Sequence, residues 1–82
     1  MRIYMQKTAE INSPPKFYQV LLQQDLLEGW MLIREWGNQG SSGRVKRELF
    51  DTRDAAEQAL MQTRDAQVSR GYHVVFVQGT YI

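Results

Sequence analysis

The sequence predicts an α+β fold, with an antiparallel β-sheet of about four to five strands and one α-helix packed on it. Three observations carry this. Short segments alternate apolar and polar residues with the period of a strand. Breakers rich in glycine, proline or asparagine separate them. A single stretch of helical spacing falls after the fourth strand, an arrangement that a doubly wound fold with its repeated helices does not produce.

The elements follow in order. Arg2 to Lys7 alternates, with Ile3 and Met5 to one side and Arg2, Tyr4 and Gln6 to the other, so it reads as a short strand. Asn12 to Pro15 breaks it, because two prolines cannot sit inside a ladder. Phe17 to Gln23 is a second strand and Trp30 to Trp36 a third, joined by a turn at Asp25 to Gly29 as an antiparallel hairpin. The third strand puts Trp30, Leu32, Arg34 and Trp36 on one face and Met31, Ile33 and Glu35 on the other. Gly37 to Gly43 reads as a loop, and Arg44 to Phe50 as a fourth strand whose basic residues suit a sheet edge. Asp51 or Thr52 caps a helix with Asp54 in its first turn, Ala56, Ala59, Leu60, Thr63 and Ala66 or Gln67 at helical spacing, and Gly71 as a left-handed cap after Arg70. His73 to Val77 is a compact apolar run that makes a last strand; Gln78 to Ile82 is left as a tail.

Composition narrows the function classes. The 82 residues make one domain, a size that buries roughly 60% of the surface the unfolded chain exposes. Two Trp, four Tyr and three Phe give that thin core large apolar side chains. There is no Cys, hence no disulfide and no thiolate chemistry. The opening MRIYMQK has no apolar run of a signal peptide, and no stretch reaches the ~20 apolar residues that span a bilayer, so a soluble cytoplasmic protein with no membrane contact is expected. A lone histidine, His73, makes no multi-histidine metal site, and no nucleophile–base pair or cofactor fingerprint is present. A non-catalytic protein without metal or cofactor is therefore expected. The acids Asp51, Asp54, Glu57 and Asp65 read as a solvated helix face rather than as paired catalytic carboxylates.

What remains is binding. Net charge is only +1, so any affinity for nucleic acid must come from how the cations are distributed. Arg34, Arg44, Lys46 and Arg47, joined by Arg53, are the basic cluster, although alternation sends Arg47 to the opposite face from Arg44 and Lys46 and Glu48 follows directly. They read either as phosphate contacts or as a solubilising edge. Trp36 reads either as a stacking platform for a nucleotide or as a core residue beside Trp30. The GNQGSSGR run precedes a strand and not a helix, so it reads as an inter-strand turn rather than a phosphate cradle.

At Trp36 and Gly37 the chain resembles the WGR domain family. The resemblance covers nearly the whole chain: RIYMQK from Arg2, KFYQVLL from Lys16, DLLEGW from Asp25, REWG from Arg34, Gly40 and Gly43, FDTRDAAEQAL from Phe50, and RGY from Arg70. Such domains occur in poly(ADP-ribose) polymerases, in proteins called molybdate-metabolism regulators, and as stand-alone bacterial proteins. The resemblance implies a β-sheet with one helix. It also implies DNA binding, in which the motif Trp packs against sugar or base at a DNA end and nearby basic residues hold phosphates, while catalysis belongs to a separate domain. Two departures stand out. The motif reads Trp36-Gly37-Asn38, without the Arg that names it, and the helix end reads RDAQVSR where many bacterial relatives are thick with Lys and Arg. The sequence thus predicts a DNA-end or nick-binding module using Arg34, Trp36, Gly37, Asn38, Arg44, Lys46 and Arg47. The alternative is a protein-interaction or self-assembly module, with the apolar HVVFV run or an exposed strand edge pairing with a copy of itself or another protein.

Overall fold

A computed structural model describes residues 1–27 and 29–79. These residues form five strands and one helix, in the order β1 (Arg2–Lys7), β2 (Lys16–Gln24), β3 (Trp30–Asn38), β4 (Arg44–Phe50), α1 (Arg53–Ser69) and β5 (His73–Gln78). The strands make one antiparallel sheet in the order β4-β3-β2-β1-β5. Chain neighbours pair until β4, which forms one edge as its charge implied. The helix then carries the chain across one face of the sheet to β5, on the far edge.

The period-2 patterns decide which residues meet that helix. Ile3, Met5, Val20, Leu22 and Leu32 are buried from the sheet, and Ala56 and Leu60 from α1. Ala56 and Leu60 stand one turn apart, so one stripe of the helix faces the sheet. Thr63 and Gln67 continue the stripe and are also buried, which places polar side chains where the core gives way to the end of the helix. The helix ends are fixed locally. The Thr52 side chain accepts a hydrogen bond from the Ala55 N–H, choosing between the two cap residues the sequence offered. At the other end Gly71, at φ +99°, donates to the Val68 carbonyl, and the Arg70 and Tyr72 N–H groups both reach the Gln67 carbonyl.

The hairpin joining β3 and β4 differs from its sequence reading. Gly37 and Asn38, expected in a loop, continue β3 and pair with Phe17 and Lys16. The Gln39 N–H extends the pairing to the Pro15 carbonyl. Proline at the start of β2 does not stop this, because only its carbonyl is needed. The glycines serve close approach. A Cβ on Gly37 would stand 3.1 Å from the Gly43 Cα, and one on Gly43 would stand 2.8 Å from the Trp36 carbonyl oxygen and 3.0 Å from the Phe17 ring. The two glycines make a flat seat for Phe17 on the face away from the helix. Gln78, read as tail, closes β5 opposite Arg2. Glu28 of the expected turn and residues 80–82 of the expected tail lie outside the described residues.

Candidate nucleic-acid interface

An open concavity on the helix side of the sheet lies beside the C-terminal end of α1, bordered there by Gln67 and Arg70. There Trp36 and Tyr18, cross-strand neighbours in β3 and β2, lie nearly parallel with ring centroids 5.6 Å apart and an interplanar angle of 13°. Tyr72, just beyond the helix cap, meets Tyr18 edge-on at 6.0 Å. Tyr18 is buried, whereas Trp36 and Tyr72 are half-buried, so the Trp36 indole packs on the core and is still exposed in part. The core packing expected of Trp36 is present, and part of the ring faces the open side.

These rings line that concavity, of about 620 Å³, whose remaining walls are Lys7, Lys16, Arg34, Lys46, Arg70 and Gln67. Five of the ten Lys and Arg residues of the chain therefore border one cavity, and among the described residues no acid lines it. A net charge of +1 conceals a local excess of one sign, which is what raises the concentration of an anionic ligand. Each cation comes from a different element. Lys7 closes β1, Lys16 opens β2, Arg34 and Lys46 face each other across β3 and β4, and Arg70 caps α1. Among the described residues Lys7, Lys16, Lys46 and Arg70 join no salt bridge, so their charge is available. Arg34 differs, because its guanidinium pairs with Glu48 and its Nε is buried without an acceptor. The negative end of the helix dipole also points here, so attraction for an anion rests on the side-chain cations and not on the helix.

The residues expected from sequence fall into three groups. Arg34, Trp36 and Lys46 line the concavity. Arg44 stands opposite Trp36 in the ladder, and Asn38, exposed at the end of β3, stands opposite Lys16; both lie on the Trp36 side of the sheet at its rim. Gly37 contributes no side chain and shapes the turn, while Arg47, opposite Ile33, faces away from the helix and is not brought to the site. Arg53, at the far end of α1, lies over the Trp30 ring at 5.4 Å and pairs with Glu57.

A model of the WGR domain matches residues 1–77. The chain belongs to the WGR domain family. No curated protein matches it. WGR domains are known in other proteins as nucleic-acid-binding modules and are binding rather than catalytic domains. In this WGR domain the first two motif positions have separable tasks: Trp36 is a ring of the concavity, and Gly37 permits the contact with Gly43.

Sequence reasoning missed Lys7, Lys16, Tyr18, Gln67, Arg70 and Tyr72. The signal was at hand, since Lys7, Lys16, Tyr18, Arg70 and Tyr72 all fall inside segments that carry the WGR resemblance, but they converge only through strand register and the helix end. Burial pushes the Tyr72 hydroxyl above its ordinary value of 10.0, the neighbouring Tyr18 adds to the rise, and the Arg70 guanidinium opposes it. The hydroxyl is protonated at neutral pH, as an ordinary tyrosine is, and can donate a hydrogen bond. Among the described residues no group of three His, Cys, Asp or Glu side chains is placed to hold a metal ion, and no helix is long and apolar enough to cross a membrane.

Proposed function

We propose that this WGR domain binds nucleic acid in the concavity beside Trp36, with a DNA end or nick as its target. Half of the chain's cations around three aromatic rings, with no acid among the described lining residues, is the observation that supports this reading. An end or nick exposes a terminal nucleotide that can leave its stack, and the Trp36 indole offers it a flat surface worth ~1–3 kcal/mol. Lys7, Lys16, Lys46 and Arg70 hold the flanking phosphates, with Arg44 and Asn38 at the rim. Arg34 is a weaker phosphate contact than the lysines, because Glu48 already neutralises it.

The experiment is a fluorescence-anisotropy titration of a short labelled duplex at ~50 and ~200 mM salt. Four phosphate contacts give a slope near −3.6 and a loss of about 100-fold across that range. Trp36→Ala, checked for folding by its thermal transition, weakens binding by about 5- to 150-fold. An excess of covalently closed circular duplex competes poorly, since it has no ends. Binding that ignores salt and survives Trp36→Ala would refute the proposal.

A second reading, association with another protein surface, draws on a different region. Val74, Val75, Phe76 and Val77 on the edge strand β5 are 37–50% exposed and carry no charge. An uncharged edge with unpaired backbone groups favours pairing with another strand, and a second copy of the domain brings no like charges together there. Sedimentation equilibrium across a range of protein concentrations tests this, and a monomer throughout would refute self-association.

A further inference from the structure

Resting on the nucleic-acid reading above, we infer that the Gln67 side chain reads the edge of a nucleobase seated on Trp36, with adenine its preferred partner. Gln67 is 7% exposed, yet its amide makes no hydrogen bond among the described residues. Neither amide atom is sealed off, since the Arg34 Nε is the buried and unpartnered side-chain atom among the described residues. The amide therefore opens onto the cavities that Gln67 lines. These are the concavity with Trp36 and a second cleft of about 460 Å³ between α1 and β4, and Arg34, Gln67 and Arg70 line both. Gln67 stands where the two meet.

An amide that opens onto solvent and meets no protein partner gives folding nothing that an apolar side chain of the same shape would not give. Its presence on the buried stripe of α1, after Ala56, Leu60 and Thr63, marks a position where folding alone favours leucine or methionine. The backbone is firmly held, because the Gln67 carbonyl accepts from both the Arg70 and the Tyr72 N–H groups. The side chain is thus presented from a rigid element, as recognition requires. Its chemistry then selects the ligand group. A carboxamide offers one acceptor and two donors side by side, and among the major-groove edges of a paired terminal base only adenine sets a donor, N6, beside an acceptor, N7. The lysines contact phosphates, which are alike in every sequence, so they give affinity without preference. Gln67 supplies preference in the same cavity.

The test compares four duplexes that differ only in the terminal base pair, titrated with the wild-type domain, Gln67→Leu and Gln67→Glu at ~50 mM salt, a condition that favours phosphate contacts. The wild type prefers the adenine end by about 5- to 150-fold, the range of one good bidentate contact. Gln67→Leu binds all four alike, keeps the salt slope, and melts at the same temperature as wild type or higher. Gln67→Glu loses the adenine preference through its lack of donors. Equal wild-type affinity for the four ends, a preference that survives Gln67→Leu, or a clear fall in melting temperature in Gln67→Leu would overturn the inference while leaving the proposed function standing. Failure of every duplex to bind would defeat both.

Discussion

The two edges of this sheet have opposite chemistry. The β4 edge carries Arg44, Lys46 and Arg47, stands beside the concavity, and would set like charges against each other if two copies met there. The β5 edge runs Val74 to Val77 without a charge, and a register irregularity opposite Tyr4 and Met5 is its visible protection against pairing. One sheet thus carries charge on one edge and a register irregularity on the other. On the proposed function, affinity for phosphates belongs to β4 and the concavity, and any self-association to β5.

Substitutions at the two edges break or sharpen this division. The largest effect is expected from Arg44→Glu with Lys46→Glu, which lowers duplex affinity on the order of 100-fold and flattens the salt slope by about 0.9, the one phosphate contact of Lys46, with repulsion from the two new acids adding to the loss of affinity. Lysines introduced at Val75 and Val77 leave duplex affinity within about twofold and abolish concentration-dependent sedimentation, as edge charges do. If the β5 lysines altered DNA binding as much as the β4 glutamates, the division would be wrong.

A smaller effect concerns how each edge is anchored. Gly43→Ala at the entry to β4 drives a Cβ toward the Trp36 carbonyl, which cannot step aside, and costs ~1–3 kcal/mol in chemical denaturation. Gly71→Ala before β5 pays for a positive φ but meets only the flexible end of Lys7, at 3.3 Å, and costs about 1 kcal/mol. The reverse order would show that the turn beside Trp36 is looser than its contacts indicate.

The smallest effect is a pH dependence. The Tyr72 hydroxyl has a raised pKa in the folded state, so its contribution to stability is whole below the unfolded value of 10.0 and is lost as the pH rises past it. Denaturation curves between neutral pH and pH ~11 should therefore fall more steeply for wild type than for Tyr72→Phe, with ordinary tyrosine titration as the reference. Parallel curves would mean that the ring is more solvated than its packing against Tyr18 implies.

Much of the fold was legible in the sequence, because strand period and turn chemistry agreed. Ile3 and Met5 alternate cleanly into the core, β1 and β4 have the bounds their patterns give, and Gly71 caps the helix as its type requires. Gly37 and Asn38 were misread for a physical reason. Both residue types are common in loops, and nothing local reveals that Gly43 and the Phe17 ring need the space. The candidate site was less legible. Trp36, Arg34 and Lys46 share a face that alternation displays, and the same rule places Arg47 on the other face. Lys7, Lys16, Arg70 and Gln67 are dispersed along the chain, and only the pairing of β1 with β2 and β2 with β3, together with where the helix stops, collects them. A net charge summed over the chain hides such a cluster.

The most direct test of the central claim is an amide and indole chemical-shift titration of the labelled domain with a short blunt duplex at ~50 mM salt, where phosphate contacts are strongest. The account predicts that the Trp36 indole signal and the amides of Lys7, Lys16, Lys46, Gln67 and Arg70 shift together while Val74 to Val77 stay in place. Shifts confined to β5 or to the face bearing Arg47, or none at saturating duplex, would contradict it.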